Sequence, residues 1–214
     1  LLRRLGKRYF VNLAECYWGR EQYLSRTGTV PYNSSLFKIC ENIVHGKTDV
    51  REIYHIYHNY FPTILPKGAQ LLGILGNHDE RRALNTFGPR GLKAAAMLTS
   101  FLSSIILDYE GSAEGESWKV YLDNIYVNWN DFEREAYRGT VDFYRELYRE
   151  HRKRQGQAYL IWAENPMVAA ALRFSGNDGI VGAFNFADRD QHISFRFDDP
   201  RLPIDDDEVY QIRD

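Results

Sequence analysis

The chain has 214 residues, of which 44% are hydrophobic and 26% are charged, and its formal net charge is −2. These values are typical of a globular protein of one or two domains. The near-neutral charge gives no indication of a nucleic-acid partner or an anionic membrane surface, and no apolar run approaches the ~20 residues that a membrane-spanning helix needs. The sequence therefore predicts neither nucleic acid nor membrane as a partner.

The first part of the chain alternates between β-prone apolar runs and segments with helical spacing, four times over. The elements predicted from this pattern are, in chain order, a buried strand at 8–14, a short helix at 17–28, a strand at 29–33, an interrupted helix at 34–60, a buried strand at 71–75, a helix at 88–102, a buried strand at 103–111 and an amphipathic helix at 140–154 with Thr140 as its N-cap. Such alternation is typical of a parallel sheet with crossover helices, so we predict an α/β fold here.

The pattern changes after Gln155. Short β-prone runs separated by turns follow, at residues 157–163, 167–174, 179–187, 191–197 and 208–214. Short strands broken by turns are typical of an antiparallel β domain. We therefore place a domain boundary here, with an α/β domain over 1–155 and a β domain over 156–214.

The number of strand–helix units bears on the architecture. Four units are half of a (β/α)8 barrel, which takes about 250 residues, whereas only about 155 residues precede the β-prone tail. The last run, 208–214, also stops without a natural end. We expect the chain to be the C-terminal piece of a longer protein whose other barrel half lies upstream of Leu1.

The stretch LLGILGNHDERR, residues 71–82, is the most informative about function. An apolar run passes through Gly76 directly into Asn77, His78 and Asp79. A buried strand that ends in titratable groups is a common way to deliver an active-site loop. Two classes of enzyme place Asn-His-Asp at such a strand end, namely two-metal phosphoesterases and enzymes that cleave or transfer sugars.

The metal interpretation requires more ligands than the sequence offers. Two metals need several further His and Asp side chains, and the stretch before Asn77 has neither an Asp-x-His nor a Gly-Asp-x-x-Asp pattern. Asp190 and His192 lie in the β-prone tail, and the pair His55 and His58 lies on a Tyr-rich helix. The sequence therefore disfavours a metallophosphoesterase and predicts no metal site.

The sugar interpretation requires two carboxylates that flank the glycosidic bond, one of them protonated near neutral pH. Glu15 ends an apolar strand and precedes Cys16, Tyr17 and Trp18, an apolar and aromatic setting of the kind that keeps a carboxylic acid protonated. Asp79 ends a later strand of the same predicted sheet. Because working residues of barrels gather at the carboxyl ends of the strands, we expect Glu15 and Asp79 to converge.

Segments in this order along the chain resemble the α-amylase family of glycoside hydrolases and transglycosylases (family GH13). FVNLAECYWGREQYLSRTG at 10–28 resembles the strand-5 segment of that family, and PYNSSLF at 31–37 the segment after it. LLGILGNHDERRA at 71–83 resembles the strand-7 segment, and SSIILDYEGSAEGE at 103–116 loosely resembles the strand-8 segment. The tail resembles the family's C-terminal β-sandwich, so the resemblance covers nearly the whole chain.

The resemblance implies both a fold and an activity. The fold would be α/β, with the C-terminal half of a (β/α)8 TIM barrel, strands 5 to 8, over 1–155 and an antiparallel β-sandwich over 156–214. The activity would be cleavage of an α-linked glucan or maltooligosaccharide with retention, by double displacement. No cofactor is expected, and calcium stays open only for the longer parent, because the family binds it largely upstream of the matched region.

The resemblance also assigns roles to residues. Glu15 would be the general acid/base, and Asp79 would hold the hydroxyls of the distorted sugar without attacking it. The residues expected to bind substrate are Asn77, His78, Tyr17, Trp18 and Arg82. The alternatives are a structural role for His78, core packing for Tyr17 or Trp18, and a carboxylate partner or a surface position for Arg82.

One part of the family's machinery is missing from the sequence. The attacking aspartate of the family lies on strand 4, in a Gly-x-Arg-x-Asp segment that would precede Leu1. We therefore expect the chain alone to be inactive. A glucanotransferase of the same family and a noncatalytic α-glucan-binding fragment stay open as alternatives to a hydrolase.

Overall fold

The computed structural model describes residues 11–17, 19–113, 115, 135–153, 156–175, 178–202 and 204. The helices in these ranges are α1 (Glu21–Ser25), α2 (Ser34–Val44), α3 (Arg51–His55), a π-helical turn (Ile56–Tyr60), α4 (Phe61–Ile64), α5 (Ala83–Leu102) and α6 (Glu135–Lys153). The strands are β1 (Asn12–Ala14), β2 (Thr29–Pro31), β3 (Leu72–Ile74), β4 (Ile105–Leu107), β5 (Ala158–Ala163), β6 (Val168–Ser175), β7 (Asp178–Asn185) and β8 (Phe195–Arg196).

The first four strands are parallel, as the alternating pattern predicts. β1 pairs with β2 and β3 pairs with β4, both in parallel register. A single parallel bridge between Tyr32 and Leu72 joins the two pairs, so neighbouring strands follow chain order. The closure of these strands into half of a barrel stays a prediction.

Local chemistry accounts for several helix boundaries. The Asn33 side chain caps α2 by accepting a hydrogen bond from the Leu36 backbone N–H at 3.2 Å. Helix α5 begins at Ala83, before the expected residue 88, and it bends at Gly88, whose φ is +66°, just ahead of Pro89. Helix α6 already runs from Glu135, so the prediction of Thr140 as its N-cap is wrong.

Strand β1 differs from its expected buried state. Val11 and Leu13 are 59% and 54% exposed. Within the described part of the chain, β1 pairs on one side only, with β2. An apolar run predicts a strand correctly here, but burial also requires a neighbour on the other side.

The tail forms an antiparallel sheet with the strand order β7-β6-β5-β8. Four of the five predicted strands are thus confirmed, and the fifth, 208–214, lies outside the described residues. A second sheet packed against this one, as in a sandwich, stays a prediction, and so does a domain boundary at residue 155.

The main hydrophobic core runs through both parts of the chain. It includes Leu72 of β3, Ala95 of α5 and Phe184 of β7, and Phe101 of α5 meets Phe184 edge-on with ring centroids 5.4 Å apart. Helix α5 therefore lies between the parallel strands and the C-terminal sheet. None of the helices in the described ranges combines the length and the hydrophobicity that crossing a membrane requires.

Candidate functional site

Two strand ends bring the predicted catalytic residues together. Glu15 directly follows β1, while Asn77, His78 and Asp79 follow β3 after a short turn. One side-chain oxygen or nitrogen from each of Glu15, His78 and Asp79 lies within 4.8 Å of the other two. The expected convergence of Glu15 and Asp79 is confirmed, and we call the group Glu15, Asn77, His78 and Asp79 the strand-end cluster.

Asn77 is the buried centre of the strand-end cluster, with 2% of its surface exposed. Its side-chain nitrogen donates to Glu15 Oε1 at 3.3 Å and to the Tyr17 hydroxyl at 2.6 Å. Its side-chain oxygen accepts from the backbone N–H groups of Asp79 and Glu80, both at 3.0 Å. One amide thus links the end of β1 to the turn after β3.

His78 and Asp79 form the open face of the cluster. Their side chains are 52% and 64% exposed, and His78 Nε2 lies 3.6 Å from Asp79 Oδ1. An exposed carboxylate beside an imidazole offers a hydrogen-bond acceptor and a donor to a polar ligand. The same atoms are potential metal ligands, but exposed acidic groups commonly cluster without an ion, and no second group of metal-ligating side chains joins them in the described ranges.

Two tyrosines line the base of the cluster. Burial raises the pKa of Tyr17 to about 12, against the opposing effect of the hydrogen bond from Asn77. Burial likewise raises the pKa of Tyr32, against the opposing effect of a hydrogen bond with Asn77. Tyr32 directly follows β2 and meets the Tyr17 ring edge-on, with ring centroids 5.9 Å apart. Both hydroxyls therefore stay protonated at neutral pH and act as hydrogen-bonding groups.

Arg82, in the loop after β3, is buried and does not lie on the protein surface. It is 2% exposed, donates from Nη1 to the backbone oxygen of Glu110, and places its guanidinium carbon 4.3 Å from the centre of the Tyr109 ring. These contacts connect the loop after β3 to the loop after β4. The surface position considered from the sequence is wrong, and substrate contact by Arg82 stays a prediction that its burial disfavours.

Three more residues belong to the site or lie near it in the sequence: Glu15, Trp18 and Tyr32. Glu15 is exposed in the chain, so the expected apolar enclosure of the acid is not formed by the described residues. Trp18 lies outside the described residues. Tyr32 lies in the segment 31–37 that carries the family resemblance, but the sequence predicted no role for it. Its position directly after the parallel strand β2 is the signal that would have placed it near the site.

The comparisons with known proteins concern the fold. No protein-family model matches the chain, and no curated protein sequence matches it. A maltogenic α-amylase from Thermotoga neapolitana matches with a TM-score of 0.71 and 18% identity, over 86% of this chain and 44% of that chain. An α-amylase from Geobacillus thermoleovorans, complexed with acarbose, matches with a TM-score of 0.68 and 18% identity, over 86% and 43%.

A third solved structure extends the range of enzymes. A cyclic α-maltosyl-(1→6)-maltose hydrolase from Arthrobacter globiformis matches with a TM-score of 0.66 and 16% identity, over 84% of this chain and 42% of that chain. The chain shares the fold of one portion of each of these α-amylase-type enzymes. It spans less than half the length of each of these three enzymes.

Proposed function

We propose that the chain is part of a glycoside hydrolase of the α-amylase type that acts on α-linked glucans with retention. The observation that carries this proposal is the strand-end cluster, in which the carboxylates of Glu15 and Asp79 meet at the ends of two parallel strands. The α-amylase fold supports it, because the working residues of such folds gather at the carboxyl ends of the strands.

In the proposed reaction, Glu15 acts twice. As a carboxylic acid it gives its proton to the glycosidic oxygen while the bond to the anomeric carbon breaks. As a carboxylate it then takes a proton from the water that attacks the glycosyl intermediate, which restores the acid and releases the sugar. Its exposure leaves its outer oxygen open to both the leaving oxygen and the water.

Asp79 and His78 are proposed to hold the sugar at the cleavage point. Both side chains are more than half exposed, and a carboxylate can accept while an imidazole N–H can donate. Hydrogen bonds to ring hydroxyls that strengthen as the ring distorts lower the barrier more than they lower the energy of the bound substrate. Tyr17, half-buried, and Trp18 stay candidates for stacking on a sugar face.

The attacking carboxylate is proposed to come from another part of a longer protein. A retaining enzyme needs a nucleophile ~5 Å from the acid, and the family resemblance places it in a Gly-x-Arg-x-Asp segment before strand 5, which residues 1–10 do not contain. Side-chain atoms of Glu15 and Asp79 lie within 4.8 Å of one another, which is close to that value. The family resemblance, however, assigns Asp79 to binding hydroxyls. We therefore propose that the 214-residue chain alone does not cleave glucans.

A glucanotransferase is the nearest alternative. It differs from a hydrolase in whether water or a sugar hydroxyl reaches the intermediate, and both acceptors would use Glu15 in the same way. A noncatalytic glucan-binding protein is the alternative from another class, and the loss of the nucleophile from the parent would favour it. No contact in the described part of the chain favours either alternative over hydrolysis.

Substitution of the proposed acid in the full-length protein tests the function. Glu15→Gln keeps the side-chain shape and the hydrogen-bond reach but cannot act as an acid, so we expect kcat on maltooligosaccharides to fall by about 10²–10⁴-fold. Glu164→Gln, at an exposed glutamate of the C-terminal sheet that bonds Arg196, is the matched control and should keep full activity. Normal turnover by the Glu15 variant would remove this residue from the catalytic role.

A further inference from the structure

We infer that Asn77 is a positioning residue that aims the Glu15 carboxyl at the leaving oxygen, and that it does not bind the substrate. The inference rests on the proposed function and refines it at the same site. It replaces the substrate-binding role that the family resemblance implies for Asn77. The hydrogen-bonding capacity of this single amide is its physical basis.

The capacity of the Asn77 side chain is fully used inside the protein. An asparagine amide has two N–H donors and one oxygen with two lone pairs. The donors go to Glu15 and Tyr17, with the Tyr32 hydroxyl also within hydrogen-bonding reach of the amide, and the oxygen accepts from the N–H groups of Asp79 and Glu80. No donor or acceptor is left for a sugar hydroxyl, and the 2% exposure of the residue keeps sugars away.

The two backbone bonds also fix which way the amide points. Only the side-chain oxygen can accept from the N–H groups of Asp79 and Glu80, so the nitrogen must face Glu15 and Tyr17. The turn after β3 therefore determines where the Glu15 oxygen is held. A substitution that keeps the side-chain oxygen but replaces the nitrogen therefore keeps the contacts with the turn and removes the hydrogen bond to Glu15.

Tyr17 holds the Asn77 amide in place through a hydrogen bond. Its hydroxyl accepts the shortest side-chain bond of Asn77, at 2.6 Å, and burial holds the pKa of this hydroxyl at about 12, so it stays neutral. Its ring packs edge-on against Tyr32, which limits its movement. Tyr17 thus fixes the second N–H of Asn77, and the first N–H is left aimed at Glu15.

Asn77→Asp is the decisive variant. It keeps the oxygen that accepts from the Asp79 and Glu80 backbone, but it replaces the N–H that donates to Glu15 with an oxygen that cannot donate. The matched control is Asn185→Asp. Asn185 has the same local pattern, because its oxygen accepts from the Ala187 N–H at 2.9 Å and its nitrogen donates to the Arg189 oxygen at 2.8 Å, in a turn of the C-terminal sheet.

Two substrates distinguish positioning of the acid from general damage. A maltooligosaccharide needs a proton on its leaving oxygen, whereas α-maltosyl fluoride loses fluoride without help from the acid. In the full-length protein we expect kcat/KM, which reports the bond-breaking step, to fall about 100-fold on the oligosaccharide and less than about threefold on the fluoride. The control variant should change neither value. Equal losses on both substrates would assign Asn77 a merely structural role and overturn the inference.

A measurement without sugar keeps the inference testable if the proposed function fails. The urea midpoint of the 214-residue chain is compared for Asn77→Asp in the native background and in the Glu15→Gln background. We expect a smaller loss of midpoint in the second background, because the glutamine amide at position 15 can donate to the oxygen that Asn77→Asp introduces. Equal losses would show that the two side chains are not in contact and would overturn the inference whatever the enzyme assays give. Absence of activity toward both substrates, together with unequal losses, would reject the proposed function alone.

Discussion

His58 joins the helical region to the C-terminal sheet. Its Nε2 lies 3.1 Å from the backbone oxygen of Leu160, and its Nδ1 lies 3.7 Å from Asp199 Oδ2. Its ring lies against Tyr54 at 3.9 Å, and Arg201 donates to its backbone oxygen. Burial lowers the pKa of His58, and the positive charge of Arg201 adds to this, against smaller opposing effects of Leu160 and Asp199.

This histidine predicts a loss of stability in mild acid. Its unfolded pKa is about 6.5 and its folded pKa is lower, so the unfolded chain takes up the proton first as the pH falls. The stabilisation is thus present above pH ~6.5 and is lost as the pH falls through the folded pKa. Asp199, whose pKa is held at about 2 chiefly by Arg201, keeps its charge throughout.

The test compares His58→Gln, whose amide can still donate to Leu160, with the exposed control His45→Gln. Thermal unfolding at pH 7.5 and 5.5 should show a smaller pH-dependent fall in Tm for the His58 variant than for the native chain. His45→Gln should preserve the native fall. An unchanged fall in the His58 variant would remove this histidine as the cause.

Adjacent residues show what the sequence can and cannot predict about the site. Asn77, Asp79 and Glu15 were identifiable, because polar side chains at the ends of parallel strands must share one edge of the sheet. Arg81 and Arg82 are chemically identical neighbours, yet Arg81 is exposed and Arg82 is buried against the loop after β4. That difference depends on the path of another loop, which the local sequence does not specify.

Helix α5 packs so closely on β3 that one glycine is required between them. A Cβ at Gly73 would lie 2.7 Å from both Ser103 Oγ and Thr99 Cγ2. Because both neighbours belong to a packed helix end, we expect Gly73→Ala to lower the free energy of unfolding by about 1–3 kcal/mol.

Gly139→Ala is the matched control for this contact. Gly139 lies within α6, and no described atom comes within 4 Å of the position that an alanine methyl group would take there. Alanine should therefore be neutral or should stabilise by up to ~1 kcal/mol. Urea denaturation of both variants provides the comparison. Equal stability of the two variants would contradict the close contact between α5 and β3.

Helices and strands are predictable from the sequence where neighbouring residues alone determine them. Apolar runs predict β2 and β3, and Gly28, with a φ of +75°, closes the turn after α1 as expected. The early start of α6 shows no helical apolar spacing, because Ala136 and Tyr137 are adjacent and no other residue in 135–139 is hydrophobic. The exposure of β1 was unpredictable for a different reason, since burial of a strand depends on distant parts of the chain.

At the scale of the whole molecule, β1 lies at the open edge of the parallel strands that the structure describes. β1 presents Val11 and Leu13 to solvent, and the described residues offer β1 no second strand partner. An open, apolar strand edge favours pairing with a further strand. The chain also covers only 42–44% of the three α-amylase-type enzymes that share its fold. The open edge agrees with the proposal that another part of a longer protein supplies a neighbouring strand and the attacking carboxylate.

Sequencing the coding DNA immediately upstream of Leu1 tests whether a longer protein supplies the attacking carboxylate. We expect an open frame with a β-prone run that carries a Gly-x-Arg-x-Asp segment some tens of residues before Glu15. A start codon close to Leu1, or a β-prone run at that place without the aspartate, would contradict a double-displacement glycosidase and favour a glucan-binding role.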